Sequence, residues 1–220
     1  MLSGGVDSST CLALAARDFR CHALSVRYGQ RNARELSSAR RVSEALGAVE
    51  HRVLDLPLDW IPGSALLGPE VAVPRSVDGQ TPAPAPPDGV PVTYVPARNS
   101  IFLALGAAWA EALDTPHLYI GVNRVDYSGY PDCRPAFIEA MERALRLGTR
   151  RGDLLIHAPL MELSKAAIIR RGVDLGLDYG LTWSCYDPVD NDRACGLCDS
   201  CLHRKRGFAE AGIPDPTRYA

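Results

Sequence analysis

Two short stretches of the chain bring together side chains whose types and spacing can do chemistry. Residues Ser3 to Ser9 read SGGVDSS, a glycine pair followed by hydroxyls and a carboxylate. Glycines let the backbone approach an anion closely, and successive amides form a nest for its oxygens. A helix beginning at about Ser8 would set its positive end against a pyrophosphate. Gly4, Gly5 and Val6 then offer backbone amides, Ser3, Ser8 and Ser9 offer hydroxyls, and Asp7 organises either Mg2+ or the loop itself. No lysine lies in the loop, so it is not the Walker pattern, which holds β and γ phosphates with Lys. The bland alternative is an ordinary Gly-Gly turn ahead of a helix.

The second stretch is Cys185, Cys195, Cys198 and Cys201, spaced C-x9-C-x2-C-x2-C. Four thiolates match a closed tetrahedral zinc site. No position is left for water, so the metal is expected to be structural and to fix the tail of the chain. An iron–sulfur cluster is the rival for four cysteines, though the C-x3-C-P ending of bacterial ferredoxins is absent. His203 reads as a bystander, and Cys11, Cys21 and Cys133 look unpaired. Seven cysteines, an odd number with four crowded near one end, favour a metal over a disulfide framework.

Other polar groups gather where strands give way to loops. RYGQR, with Tyr28 and Gln30, ends a β-like run at the edge where α/β folds bind ligands; a plain turn is equally compatible. Arg98 and Asn99 open a long helix, either to hold phosphate or base or to cap that helix. The loop GVNRVDYSGYPDCR carries Asp126, Ser128, Tyr130, Asp132 and Arg134, a set suited to a heterocycle: carboxylates accept N–H donors and tyrosine stacks. Lys165, in LSK at a helix start, suits a polyphosphate contact as well as a solvated helix position.

The elements that must position these groups alternate between β-like and helical runs, the rhythm of a parallel sheet with crossover helices. Helices are expected at Ser8–Ala16, Arg31–Gly47, from Arg98 onward, Arg134–Leu147 and in LSKAAIIRRGVDLG. Strands are expected at CHALSVRYG, HRVLDLP, HLYIGV and LLIHAPL. Trp60 to Pro91 loses periodicity and ends in QTPAPAPPDGVP, a loop or lid. Residues 1–181 read as a nucleotide-binding α/β unit and 182–220 as a zinc-binding segment.

Composition narrows the class. The 220 residues carry 26 acidic and 24 basic side chains, a net charge of −2 without the basic field of a general nucleic-acid binder. Two of the basic residues are lysines, leaving 22 arginines, so scattered Arg reflects usage more than function. No apolar run approaches the roughly 18–20 residues that cross a bilayer, and the N-terminus lacks signal-peptide features. A cytoplasmic protein without membrane contact is the expectation.

SGGxDS resembles the PP-loop of the ATP-pyrophosphatase superfamily, whose members cleave ATP between the α and β phosphates and activate an oxygen as an adenylate. Together with RYGQR, YVPARN, DYSGYPDCR, APLMELSKAAII and the closing cysteines, the chain resembles the 7-cyano-7-deazaguanine synthase family over nearly its full length. The resemblance implies an α/β fold with a doubly wound, Rossmann-like parallel sheet and a small C-terminal zinc-binding segment. It implies a C–N ligase that uses ATP, Mg2+ and a structural Zn2+. The substrates implied are 7-carboxy-7-deazaguanine and ammonia, and the assembly a homodimer. It also implies that Asp7, Ser8 and Lys165 serve catalysis. Ser3, Gly4, Gly5, Val6, Ser9, Arg98 and Asn99 would join Asp7 and Ser8 in holding nucleotide. Tyr28, Gln30, Asp126, Ser128, Tyr130, Asp132 and Arg134 would hold the deazaguanine.

Three departures stand out: Ala97 replaces a glycine common in the family, a Pro-rich insert covers Pro82–Pro91, and only Met1 and Leu2 precede SGG where the superfamily has a strand. Loss of a central strand would unpair its neighbours, so missing apolar residues at the start are expected. Other readings are a tRNA thiolase, with Cys133 as its only candidate nucleophile, a relative that attaches a deazaguanine to a macromolecule in a defence system, or a non-catalytic binding module.

Overall fold

The computed structural model describes residues 1–31, 34–82, 84, 86–124, 129–190 and 193–220. Helix α1 spans Val6–Ala15 and strand β1 His22–Arg27. Helix α2 (Arg34–Ala45) leads to β2 (Glu50–Asp55), which pairs parallel with β1 from His22↔Glu50 to Arg27↔Asp55. A long irregular segment then reaches α3 (Arg98–Ala112) and β3 (His117–Tyr119). Helix α4 (Pro135–Gly148) crosses to β4 (Leu155–His157), parallel with β3. Helices α5 (Lys165–Asp174) and α6 (Asp199–Ala211) complete an α/β architecture. No described helix is long and apolar enough to cross a membrane.

Each helix forms where its apolar spacing lets one stripe be buried. On α2, Ser38, Ala39, Val42 and Ser43 are buried beneath a charged outer face, and Gly47 at φ 66° turns the chain away. The expected start of this helix runs through residues 32 and 33, which lie outside the described residues. Helices α1, α2, α5 and α6 share one apolar cluster that includes Val6, Val42, Ile168 and Phe208. Helices α3 and α4 share another with β3 and β4, around Leu103, Ile138 and Ile156. The tail is therefore part of the main core: Phe208 is 2% exposed, and Arg204 is buried with bonds to Asp215, Thr182 and the Tyr179 carbonyl.

The strands fall into two sheets, β1–β2 and β3–β4. Met1 and Leu2 lie between them. The Leu2 N–H donates to Leu24 O at 2.8 Å, and the Met1 ammonium donates to Tyr119 O at 2.8 Å. Leu2 packs into the α1 cluster and Met1 against the α3 side, the alternation of an extended strand. Next to these two residues, between Cys21–Leu24 and His117–Tyr119, is a cavity of about 280 Å3 walled by Phe19, Trp109 and Leu113.

Candidate active site

Helix α1 begins two residues before Ser8, the start expected from its hydroxyls. Gly5 caps it, and no side chain fills the cap, so the first amides have no partner within the helix. Ser8 instead turns its hydroxyl back to Ser3, with Oγ–Oγ 2.9 Å and the Ser3 N–H donating to Ser8 Oγ at 3.1 Å. The result is a closed loop whose amides and helix positive end face a cavity of about 230 Å3.

Gly4 serves packing. At φ 84°, a Cβ there would come within 2.5 Å of both Glu35 O and Ala39 N. The missing side chain lets the loop press against α2, and Trp183 N–H fixes it from the other side by donating to Gly4 O at 2.9 Å. Ser9 is fully buried, its Oγ without a hydrogen-bond partner, and it is not among the residues lining the cavity. The Ser9 hydroxyl, expected to meet phosphate, instead faces the core, because the helix turns that side chain inward.

Across the cavity stands Lys165, only 7% exposed, which excludes the solvated position considered from sequence. Ser164 caps α5 by accepting from the Ala167 N–H, and this places Lys165 in the first turn. A cation at the positive end of a helix needs an anion, and Asp7 supplies it: Nζ donates to Asp7 Oδ1 and Oδ2 at 2.7 and 2.8 Å. An ion pair thus borders the phosphate loop.

Tyr28, Gln30, Arg98, Asn99 and Tyr130 also line the cavity. Arg98 donates to the Tyr28 hydroxyl at 3.3 Å and lies 5.7 Å over its ring. Gln30 spends its amide on its own turn, accepting from Tyr28 N–H at 2.7 Å. Tyr130 shares a 2.7 Å hydrogen bond with Thr93, and burial raises its pKa above the usual phenol value. Two expected contacts move elsewhere. Asp132 is buried and accepts from Asn99 N–H at 3.0 Å, capping α3, because the preceding Ala97 sits at φ 55° and offers no side-chain acceptor. Arg134 is exposed at the start of α4. Neither lines the cavity. Asp126 and Ser128 lie outside the described residues.

Sequence reasoning missed Glu35, Asn123 and Trp183, all on the cavity wall. Glu35 had a readable signal: it stands three and four residues before Ser38 and Ala39, on the buried stripe of α2. Trp183 had none, since its role depends on the tail folding back to the loop.

Cys185, Cys195, Cys198 and Cys201 are all buried, with sulfurs within 4.8 Å of one another. The amides of Leu197 and Cys198 donate to Cys195 Sγ at 3.5 and 3.3 Å. Four converging thiols, sulfur-directed amides and no fifth donor fit a tetrahedral zinc ion held without an open position. Among the described residues this is the only such cluster of three or more ligating side chains.

A match to the family described as "Queuosine biosynthesis protein QueC" covers residues 1–212. The chain belongs to the QueC family. A QueC-type relative from Azoarcus sp. (strain BH72), named 7-cyano-7-deazaguanine synthase, is 58% identical over 225 residues, covering 100% of this chain and 95% of the relative. Relatives of the same name from Anaeromyxobacter sp. (strain Fw109-5) and Thiobacillus denitrificans (strain ATCC 25259 / T1) are 55% and 56% identical, covering 100% of this chain and 94% and 96% of their own lengths. QueC membership agrees with the α/β architecture and with both the phosphate loop and the cysteine cluster.

Proposed function

We propose that the protein is an ATP-dependent ligase that converts 7-carboxy-7-deazaguanine and ammonia to 7-cyano-7-deazaguanine, the product its relatives are named for. The observation that carries this reading is one cavity in which an uncapped helix N-terminus and an ion pair face an aromatic and arginine wall. A carboxylate resists ammonia because its carbonyl is electron-rich and oxide leaves poorly. Transfer of AMP to the acid oxygen supplies a leaving group, ammonia then gives the amide, and a second activation of the amide oxygen permits dehydration to the nitrile. Positioning and charge stabilisation supply most of such catalysis.

In this reading Ser3, Gly5, Val6, Asp7 and Ser8 receive the departing pyrophosphate, with Gly4 holding the loop's shape. Lys165 balances Asp7 and offers its charge to the phosphates. Asp7 would be the carboxylate that holds Mg2+ at the loop, and the ion would supply neutralising charge to the phosphate oxygens. Arg98 and Asn99 hold nucleotide, while Tyr28, Gln30 and Tyr130 meet the deazaguanine. Residues 1–181 form the nucleotide-binding unit and 182–220 the zinc-binding segment. The enzyme works in the cytoplasm as a homodimer on small molecules, without nucleic acid.

The thiolase alternative needs a reactive cysteine. Cys133 is 7% exposed and accepts from the Asn99 amide, and burial pushes its thiol up to about 12. Such a thiol is not a thiolate near neutrality. Mass spectrometry of products from the carboxy-deazaguanine, ATP and ammonium tests the proposal. Nitrile is expected, and its absence alongside sulfur transfer to tRNA would reverse it.

A further inference from the structure

Forming a C–N bond from ammonia releases a proton, and the cavity wall must offer a group to take it. The groups lining this one are mostly committed elsewhere. Both Asp7 oxygens bind Lys165, and burial raises the Tyr28 and Tyr130 phenols and the Cys133 thiol. Glu35 is different. It stands in the first turn of α2, and its backbone oxygen abuts Gly4 of the phosphate loop. Its carboxyl is partly buried on the cavity wall, with no hydrogen bond or ion pair among the described residues.

Glu35 also stands where the two halves of the site meet, its backbone oxygen against Gly4 of the loop and its side chain on the cavity that Tyr28 and Arg98 line. One side is the loop that would hold the leaving phosphates, the other the wall that would hold the acid. We infer that Glu35 is the base that takes the proton from ammonia as it attacks the adenylated acid, an assignment that rests on the function proposed above. The acyl adenylate, ammonia and the Glu35 carboxylate give the amide, AMP and the Glu35 carboxylic acid. The C–N bond forms, the acyl C–O bond to AMP breaks with its electron pair leaving on phosphate, and one N–H proton moves to Glu35. Water returns the carboxyl to its anionic form.

Burial pushes the Glu35 carboxyl up to about 7, against the opposing pull of Arg98, which suits a base working near neutrality. The charged and titratable groups that line the cavity with it are the Met1 ammonium, Asp7 on α1, Tyr28 after β1, Arg98 on α3, Tyr130, Cys133, Lys165 on α5, Tyr186, and His203 and Arg204 on α6. Besides Glu35, the cavity groups that titrate near neutrality by type are the His203 imidazole and the Met1 amino group, the latter lowered by burial and bound to Tyr119 O, and His203 serves as the control.

The test uses the full chain with ATP and the carboxy-deazaguanine, from about pH 5.5 to about 9, with rates referred to free ammonia. For the wild type, amide and nitrile formation is expected to fall about tenfold per pH unit below about 7. Glu35→Gln is expected to lose that limb and at least about a hundredfold in rate, whereas His203→Gln keeps the limb. Adenylation is read separately by ATP–pyrophosphate exchange with the acid and no ammonia, where Glu35→Gln should stay within about twofold of wild type. If Glu35→Gln keeps its rate, loses exchange in parallel, or if the limb follows His203, the assignment is wrong. If the wild type shows neither exchange nor nitrile, the functional reading itself fails instead. Thermal unfolding of each variant separates these outcomes from misfolding.

Discussion

Ala97→Gly is a perturbation whose sign two opposing magnitudes decide. Ala97 sits at φ 55° and ψ 19°, the left-handed region, immediately before α3. That conformation costs a residue with a Cβ about 1–2 kcal/mol. Glycine removes the cost but makes the unfolded chain freer, which subtracts about 0.4–1 kcal/mol. No packing is lost, because Ala97 is exposed, and its backbone bonds to Tyr94 Oη and from Ile101 N–H are unaffected by the change. Strain relief wins by about 0.8 kcal/mol at the midpoints of the two ranges, whose difference spans about 0–1.6 kcal/mol. For a chain of this size that raises Tm by about 1–4 °C. Urea unfolding followed by far-UV circular dichroism should show a higher midpoint with an unchanged slope. A midpoint equal to or below that of the parent would refute the claim that this backbone is strained.

Three other outcomes follow from the same geometry. Asp7→Ala should stop turnover and also destabilise the fold, since removing the carboxylate paired with buried Lys165 should cost about 3–5 kcal/mol. Pairing Asp7→Asn with Lys165→Met should recover most of that loss in chemical denaturation while turnover stays absent. Glu35, with its carboxyl raised from 4.5 to about 7, adds stability fully present below the unfolded value and lost as pH rises to about 7. Glu35→Gln should therefore unfold with a flatter pH dependence and gain at most about 3 kcal/mol over the parent at pH 8, read by denaturation at several pH values. Stripping the metal should release more than the tail, since Ser76 N–H donates to Leu197 O at 2.8 Å and Arg75 pairs with Asp187 at 2.6 Å. Hydrogen exchange at 75–77 is expected to rise along with that at 194–201.

The sequence was most legible where local pattern decides structure. Apolar spacing located α2, α4 and α5, and cysteine spacing located four thiols that meet within 4.8 Å. The phosphate loop was legible as a motif, yet the work of its members was not. Gly4 answers to the backbone of α2 and Ser9 to the core, contacts between elements that no local spacing encodes. By type Lys165 suited a polyphosphate contact and a solvated helix position equally, and only tertiary structure sets Asp7 opposite it. Asp132 looked free for a ligand because the left-handed turn at Ala97, which leaves α3 in need of a cap, could not be read from composition. Glu35 was the one avoidable miss: a carboxylate on a helix's buried stripe is itself a signal.

The hydrogen bond from Trp183 to Gly4 has a practical consequence. Trp183 is two residues before Cys185, its indole donates to the Cys185 carbonyl at 3.0 Å, and its own amide holds the glycine turn. Purified batches that differ in metal loading at the four cysteines should thus differ in apparent KM for ATP, so metal content belongs beside every kinetic constant measured for this enzyme.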